Sequence, residues 1–164
     1  MKLTFCFLLL ALTLSACSFN PNTQGEGEKY LQGEWQQDST SVQKQLLSYS
    51  LYKFKFTCDS FFVQQQTFSK INNGVDTCGN SGHYEEYMRG TYRQHNDTLF
   101  LKGYFSNADY SLKKFGGCFR SGQYEEFFKV NKQMDSLVQL TGTTSVIPIN
   151  LRLTKTLTCI VKPL

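Results

Sequence analysis

Charge is scarce in this chain: Lys, Arg, Asp and Glu supply 18% of its 164 residues, against 40% hydrophobic residues. That excludes a disordered polyelectrolyte tail, which needs dense charge and little to bury. The net charge is +4, and a charge that small, spread along the sequence, makes too weak a field to argue for nucleic acid. Proline is nearly missing, at 3 residues beside 14 Phe and 9 Tyr; aromatic side chains suit the pleated, half-buried surface of a sheet. No apolar run is long enough for a bilayer-spanning helix. Cys-x-x-Cys, Gly-x-Ser-x-Gly, His-Glu-x-x-His, a phosphate-cradling Gly-rich loop and a dinucleotide fingerprint are all missing, so neither a cofactor nor a metal site is expected. The length fits one domain.

What is present begins with an address. Lys2 precedes a mostly apolar run, Leu3 to Leu14, that ends in Leu14-Ser15-Ala16-Cys17, the pattern of a secretory signal peptide with small residues at the cut. A Cys directly after the small residues resembles the lipobox of bacterial lipoproteins; a plain signal peptide with an incidental Cys is the alternative. The resemblance implies that residues 1–16 are removed and that Cys17 is acylated (palmitate among the chains). It also implies a membrane anchor, since acyl chains contribute about 0.8 kcal/mol per buried CH₂. Ser18 stands where Asp would favour inner-membrane retention in that family, which implies the outer membrane, facing the periplasm. Residues 17–29, rich in Asn, Gly and Glu, read as a flexible tether, which leaves 30–164 as the folded domain.

Export sorts the cysteines. Cys6 leaves with the signal peptide and Cys17 carries lipid, so Cys58, Cys78, Cys118 and Cys159 remain. An even set in an oxidising compartment predicts two disulfides. A metal site is the sharper alternative, but only His83 and His95 could join it.

Two interleaved repeats organise the middle of the chain. Cys78-Gly-Asn-Ser-Gly-His-Tyr-Glu-Glu-Tyr87 matches Cys118-Phe-Arg-Ser-Gly-Gln-Tyr-Glu-Glu-Phe127, and Asp59-Ser60-Phe61 echoes in Asp97-Thr98-Leu99 and Asp135-Ser136-Leu137. A turn acid, a hydroxyl residue and then an apolar run describe a tight hairpin entering a strand; a period near 40 residues marks repeated architecture. Tyr52, Phe54 and Phe56 alternate with Lys53 and Lys55 over Leu51–Thr57, and the alternation over Val146–Leu153 puts Ile147, Ile149, Leu151 and Leu153 inward, as half-buried strands do. Further strands are read at Gly33–Gln37, Phe61–Phe68, Tyr84–Tyr92, Thr98–Phe105, Tyr124–Val130 and Ser136–Leu140. The expected fold is all-β, an eight-stranded antiparallel up-and-down barrel with no open edge. Val42, Leu46 and Tyr49 at helical spacing in Ser39–Tyr49 predict a short helix or lid between the first two strands. Turns of such a meander alternate between its ends, so Cys58 pairs with Cys159 at the Asp-turn end and Cys78 with Cys118 at the other.

Gly33-Glu34-Trp35, inside the first strand of this barrel, resembles the Gly-x-Trp motif of lipocalins and their bacterial lipoprotein relatives. The resemblance implies that Trp35 plugs one end while the other holds a small, often apolar ligand. It reaches Gly33 and Trp35 alone: the family's Thr-Asp-x-x-Tyr motif is missing, and Arg152, the candidate for its late Arg, falls on the polar face. Trp35 as simply the largest core residue of an unrelated β domain stays open. Small lipoproteins similar in their Cys and Leu-Gln-Gly-Glu-Trp patterns sometimes carry a fumarate hydratase label, a reaction for which the sequence offers no assigned residues.

Candidate chemistry rests on Glu85-Glu86 and Glu125-Glu126. Neighbouring carboxylates can divide acid and base roles because like charge raises one pKa, yet adjacent strand residues point to opposite faces. Glu86 and Glu126 share a face with Tyr84 and Tyr124, so an inward Tyr/Glu cluster near the loop end is expected if these acids act; otherwise they are solvated parts of a repeated motif. His83 and His95 read as surface residues, and Lys53, Lys55, Lys113, Lys114 and Arg120 as solvated bases. Lys113, Lys114 and Arg120 could touch anionic lipid heads. Asn96-Asp97-Thr98 matches a glycosylation sequon that a bacterial lipobox argues against. Three functions follow: a ligand-binding envelope lipoprotein, a small periplasmic enzyme using the repeat acids, or a filled barrel acting through protein partners.

Overall fold

The computed structural model describes residues 23–71, 82–115, 119–143 and 147–163. Among them the strands run in chain order: β1 (Gly33–Gln37), β2 (Ser48–Thr57), β3 (Ser60–Ser69), β4 (His83–His95), β5 (Thr98–Ser106), β6 (Gln123–Met134), β7 (Leu137–Gly142) and β8 (Ile149–Thr156). Each pairs antiparallel with the next, and β8 returns to β1, so the chain is the expected eight-stranded up-and-down barrel. Closure pairs the backbone groups that an open sheet would leave on two edges.

Period-two alternation fills the barrel. Phe54 and Phe56 on β2, Phe61 and Val63 on β3, Leu99 and Leu101 on β5 and Val138 and Leu140 on β7 are buried, while Lys53 and Lys55 are exposed. Each buried side chain of that size contributes about 1.5–3 kcal/mol. Gly90 faces Gly103 across β4 and β5, and a Cβ at either would meet a backbone carbonyl at about 2 Å, Lys102 O at 2.1 Å or Arg89 O at 2.0 Å. The two strands approach too closely there for any larger residue.

One end carries the Asp turns, and the repeat has a backbone counterpart at it. The amides of Tyr92 and Val130 donate to the carbonyls of Asp59 and Asp97, both at 2.7 Å. The disulfide Cys58–Cys159 closes the same end across 101 residues of sequence, Cα to Cα 4.7 Å. A loop that long restrains the unfolded chain by about 4–5 kcal/mol in the chain-entropy picture. The expected Cys78–Cys118 bridge lies outside the described residues, as do Cys17 and residues 1–16.

The tether is shorter than its composition suggests. Gln24 donates from its backbone N–H to Lys162 O and from its side chain to Ser60, Gly25 N–H donates to Asp59, and Glu28 N–H to the Tyr92 hydroxyl. Residues 23–29 are therefore laid along the Asp-turn end; the polar side chains that look like linker find hydrogen-bond partners on the hairpins. Gly27, with φ +65°, lies so close to the first hairpin that a Cβ would meet Cys58 O at 1.9 Å. A single 3₁₀ turn, Lys29–Leu31, then drops Leu31 into the barrel.

The expected lid is also reduced. Helix α1 spans only Ser41–Gln45, with Thr40 and Gln43 forming a reciprocal capping box. Leu46 is extended and Val42 is exposed, while Tyr49 belongs to β2 and stacks on Phe68. Pairing of Ser48–Ser50 with Thr67–Ser69 satisfies more backbone groups than another helical turn would. The last strand starts at Ile149, later than the alternation from Val146 implies, because Pro148 has no N–H to give a ladder; Val146 itself is outside the described residues.

Candidate functional site at the barrel mouth

The two ends of the barrel differ. At the Asp-turn end Trp35 is 1% exposed, its indole N–H donating to Leu31 O at 2.8 Å. Gln32 locks the plug by donating to Cys58 O and to the Tyr92 hydroxyl and accepting from Cys58 N–H. Burial pushes the Tyr92 phenol up to about 12. Above this base Phe56, Phe54 and Tyr52 stack in a column along β2, and Phe128 meets Phe54 edge-on. The lower barrel is filled.

At the other end the interior opens into a cavity of about 500 Å³. Phe128 and Ile149 form its floor, Tyr52, Ser50 and Gln65 one wall, Tyr124 and Glu126 another, and Gln37 with Gln43 of α1 the side under the first loop. This is the size and mixed lining of a small-molecule site. Burial raises the Tyr52 and Tyr124 phenols above their ordinary value, against a smaller lowering by Arg120, so both present neutral hydroxyls. Gln37 is 5% exposed and its Oε1 is buried without a hydrogen-bond partner among the described residues.

The structure brings Glu86 and Glu126 to this inner face, and Glu85 and Glu125 to the outside, where Glu125 pairs with Lys102 at 3.2 Å and Glu85 accepts from Gln64, Gln66 and the Tyr87 hydroxyl. Glu86 is not a free acid. Its buried carboxylate accepts from Arg120 Nη2 at 2.5 Å, from Nε at 2.9 and 3.1 Å, and from the Arg120 backbone N–H at 3.2 Å. Arg120, read from sequence as a solvated base, is thereby corrected to the partner of a buried acid. The segment carrying it folds onto the mouth: Phe119, with φ +65°, stacks on Tyr84 at 4.6 Å, and the Arg120 guanidinium lies 4.7 Å from the Phe105 ring centre. The hydrogen bond to Glu86 is what chiefly raises the Arg120 pKa.

The remaining candidates lie elsewhere. His83 and His95 are exposed at the two ends of β4, and Arg152 lies outside the barrel in a two-pronged pair with Asp38, at 3.1 and 3.3 Å. Lys53 and Lys55 are on the outer face of β2, Lys114 is exposed, and Lys113 Nζ donates to Arg120 O. Among the described residues no group of three His, Cys, Asp or Glu could hold a metal ion.

Sequence reasoning missed Arg120, Gln37, Gln43 and Gln65. The two repeat copies differ at Asn80 and Arg120, and that divergence beside an inward acid was the available signal for Arg120. No family model, curated protein or solved structure matches the chain.

Proposed function

We propose that this protein is an envelope lipoprotein, acylated at Cys17 and held on the periplasmic face of the outer membrane, whose barrel mouth binds a small amphipathic ligand without catalysing a reaction. One observation carries the reading: the barrel is plugged at the Trp35 end and opens at the other into a cavity of about 500 Å³ with apolar floor and polar walls. The place of Gly33 and Trp35 at the plugged end supports the lipocalin-like resemblance. The non-catalytic reading is supported by Glu86, whose carboxylate is bound by Arg120 and does not line the cavity beside Glu126.

Two measurements test this. Cys17→Ser should move the protein from the membrane to the soluble periplasmic fraction; unchanged membrane retention overturns the anchor. Titrating the labelled protein with straight-chain fatty acids, alcohols and amines should shift the NMR signals of Ile149, Tyr52 and Tyr124 and leave the outward Tyr104 and Phe127 unmoved. Shifts confined to the outer residues, or none with any of the three classes, overturn the ligand site.

A further inference from the structure

We infer that the mouth selects a cationic amphiphile, an organic ammonium on an apolar body, over a carboxylate on the same apolar body. The inference rests on the ligand-binding reading above and names the head group that site takes. Among the described residues the charged groups lining the cavity are Glu126 and Arg120, and Glu86 is buried against Arg120. Arg120 commits Nε and Nη2 to Glu86, and Nη2 also donates to Gln65 Oε1 at 3.1 Å, so that pair is internally neutral. Among the described residues no base pairs with Glu126, which lines the cavity beside the neutral Tyr52 and Tyr124 hydroxyls.

A second feature points the same way. Gln37 Oε1 is a buried acceptor without a partner among the described residues, at the edge of the same cavity, and an unsatisfied buried polar atom costs about 1–3 kcal/mol. A donor-bearing head would satisfy it; a carboxylate would not. Lys44 and Lys70 stand exposed on the outer rim, where water and salt screen them, whereas the Glu126 charge acts inside the cavity, where the effective dielectric is lower. A fatty-acid head would meet Glu126 with like charge, and the one cation lining the cavity among the described residues, Arg120, already shares its charge with Glu86. An ammonium meets an uncompensated carboxylate, with Phe128 and Ile149 left for its apolar part.

The test uses three probes that share a phenylethyl body, on the full chain: 2-phenylethylamine, 2-phenylethanol and 3-phenylpropionate, each titrated by calorimetry. The amine should bind at least about tenfold more tightly than the carboxylate, as 1.4 kcal/mol of head-group preference gives, with the alcohol between them. Glu126→Gln should remove most of the amine's advantage over the alcohol. Gln37→Leu should weaken the amine while leaving the barrel folded. If the carboxylate binds as well as the amine, or Glu126→Gln leaves the order unchanged, the head-group inference is overturned while the ligand site stands. If none of the three binds, both fail.

Discussion

Arg120 and Glu86 form the tightest polar contact of the mouth, and their asymmetry decides what replacing either one does. The Glu86 side chain is 4% exposed and that of Arg120 55%. Removing the arginine strands a buried carboxylate, whereas removing the carboxylate leaves a guanidinium that water can reach. Arg120→Met is therefore expected to lower stability by about 2–3 kcal/mol, and Glu86→Gln by less, in denaturant unfolding at neutral pH. The reverse order would mean that the pair is held by the loop and not by the charge. Tyr92 makes a different claim, about alkali. Its phenol is raised from 10.0 to about 12 by burial, so the folded barrel holds that proton more tightly than the unfolded chain does. Its contribution to stability is complete below pH 10 and is lost as pH rises through 12. Tyr92→Phe should cost about 1 kcal/mol at neutral pH through the lost bonds to Glu28 and Gln32, and should flatten the alkaline limb of a stability–pH profile. An alkaline limb unchanged in the variant would assign the loss to another phenol.

At the scale of elements, the strands follow from alternation and the short pieces between them do not. Tyr52, Phe54 and Phe56 against Lys53 and Lys55 mark β2 without help from any partner, because the sheet face and the sequence period coincide. The extents of the helix and of the N-terminal segment are not legible in the sequence for one shared reason: each is settled by long-range hydrogen bonds that leave no local period. Tyr49 joins β2 because Phe68 is opposite; Gln24 and Gly25 are ordered because Asp59 and Ser60 lie beneath them. The mouth is half legible for the same cause, since Glu86 and Glu126 follow from strand parity while Arg120 arrives from a loop. The N-terminal strap gives a direct test. Gly27→Ala places a Cβ against Cys58 O at a φ of +65°, a left-handed backbone that disfavours L side chains by about 1–2 kcal/mol. The strap should lift away, and limited proteolysis should cut residues 23–30 faster than in the parent protein. Equal rates would show that the strap does not depend on that close approach.

For the whole molecule, the place where the chain enters the barrel decides which way the cavity faces. Thr23 bridges Pro163, and Gln24 and Gly25 bind the β2–β3 hairpin, so the N-terminal segment reaches the barrel at its plugged end. About six residues separate Thr23 from Cys17, and even fully extended they reach about 20 Å. An acyl anchor at Cys17 would then hold the Asp-turn hairpins next to the bilayer and turn the open mouth to the aqueous side. A ligand would enter from the periplasm, and the protein would act as a receiver of dissolved or carried molecules, not as an extractor of lipids from the leaflet beneath it. This orientation can be measured with the acylated protein in bilayer discs that carry a paramagnetic lipid head group. Amide signals of Asp59, Asp97 and Asp135 should broaden strongly, and those of Ser41–Gln45 in α1 and of Ile149 should stay sharp. Broadening centred on α1 would place the mouth on the membrane and reverse the route by which a ligand arrives.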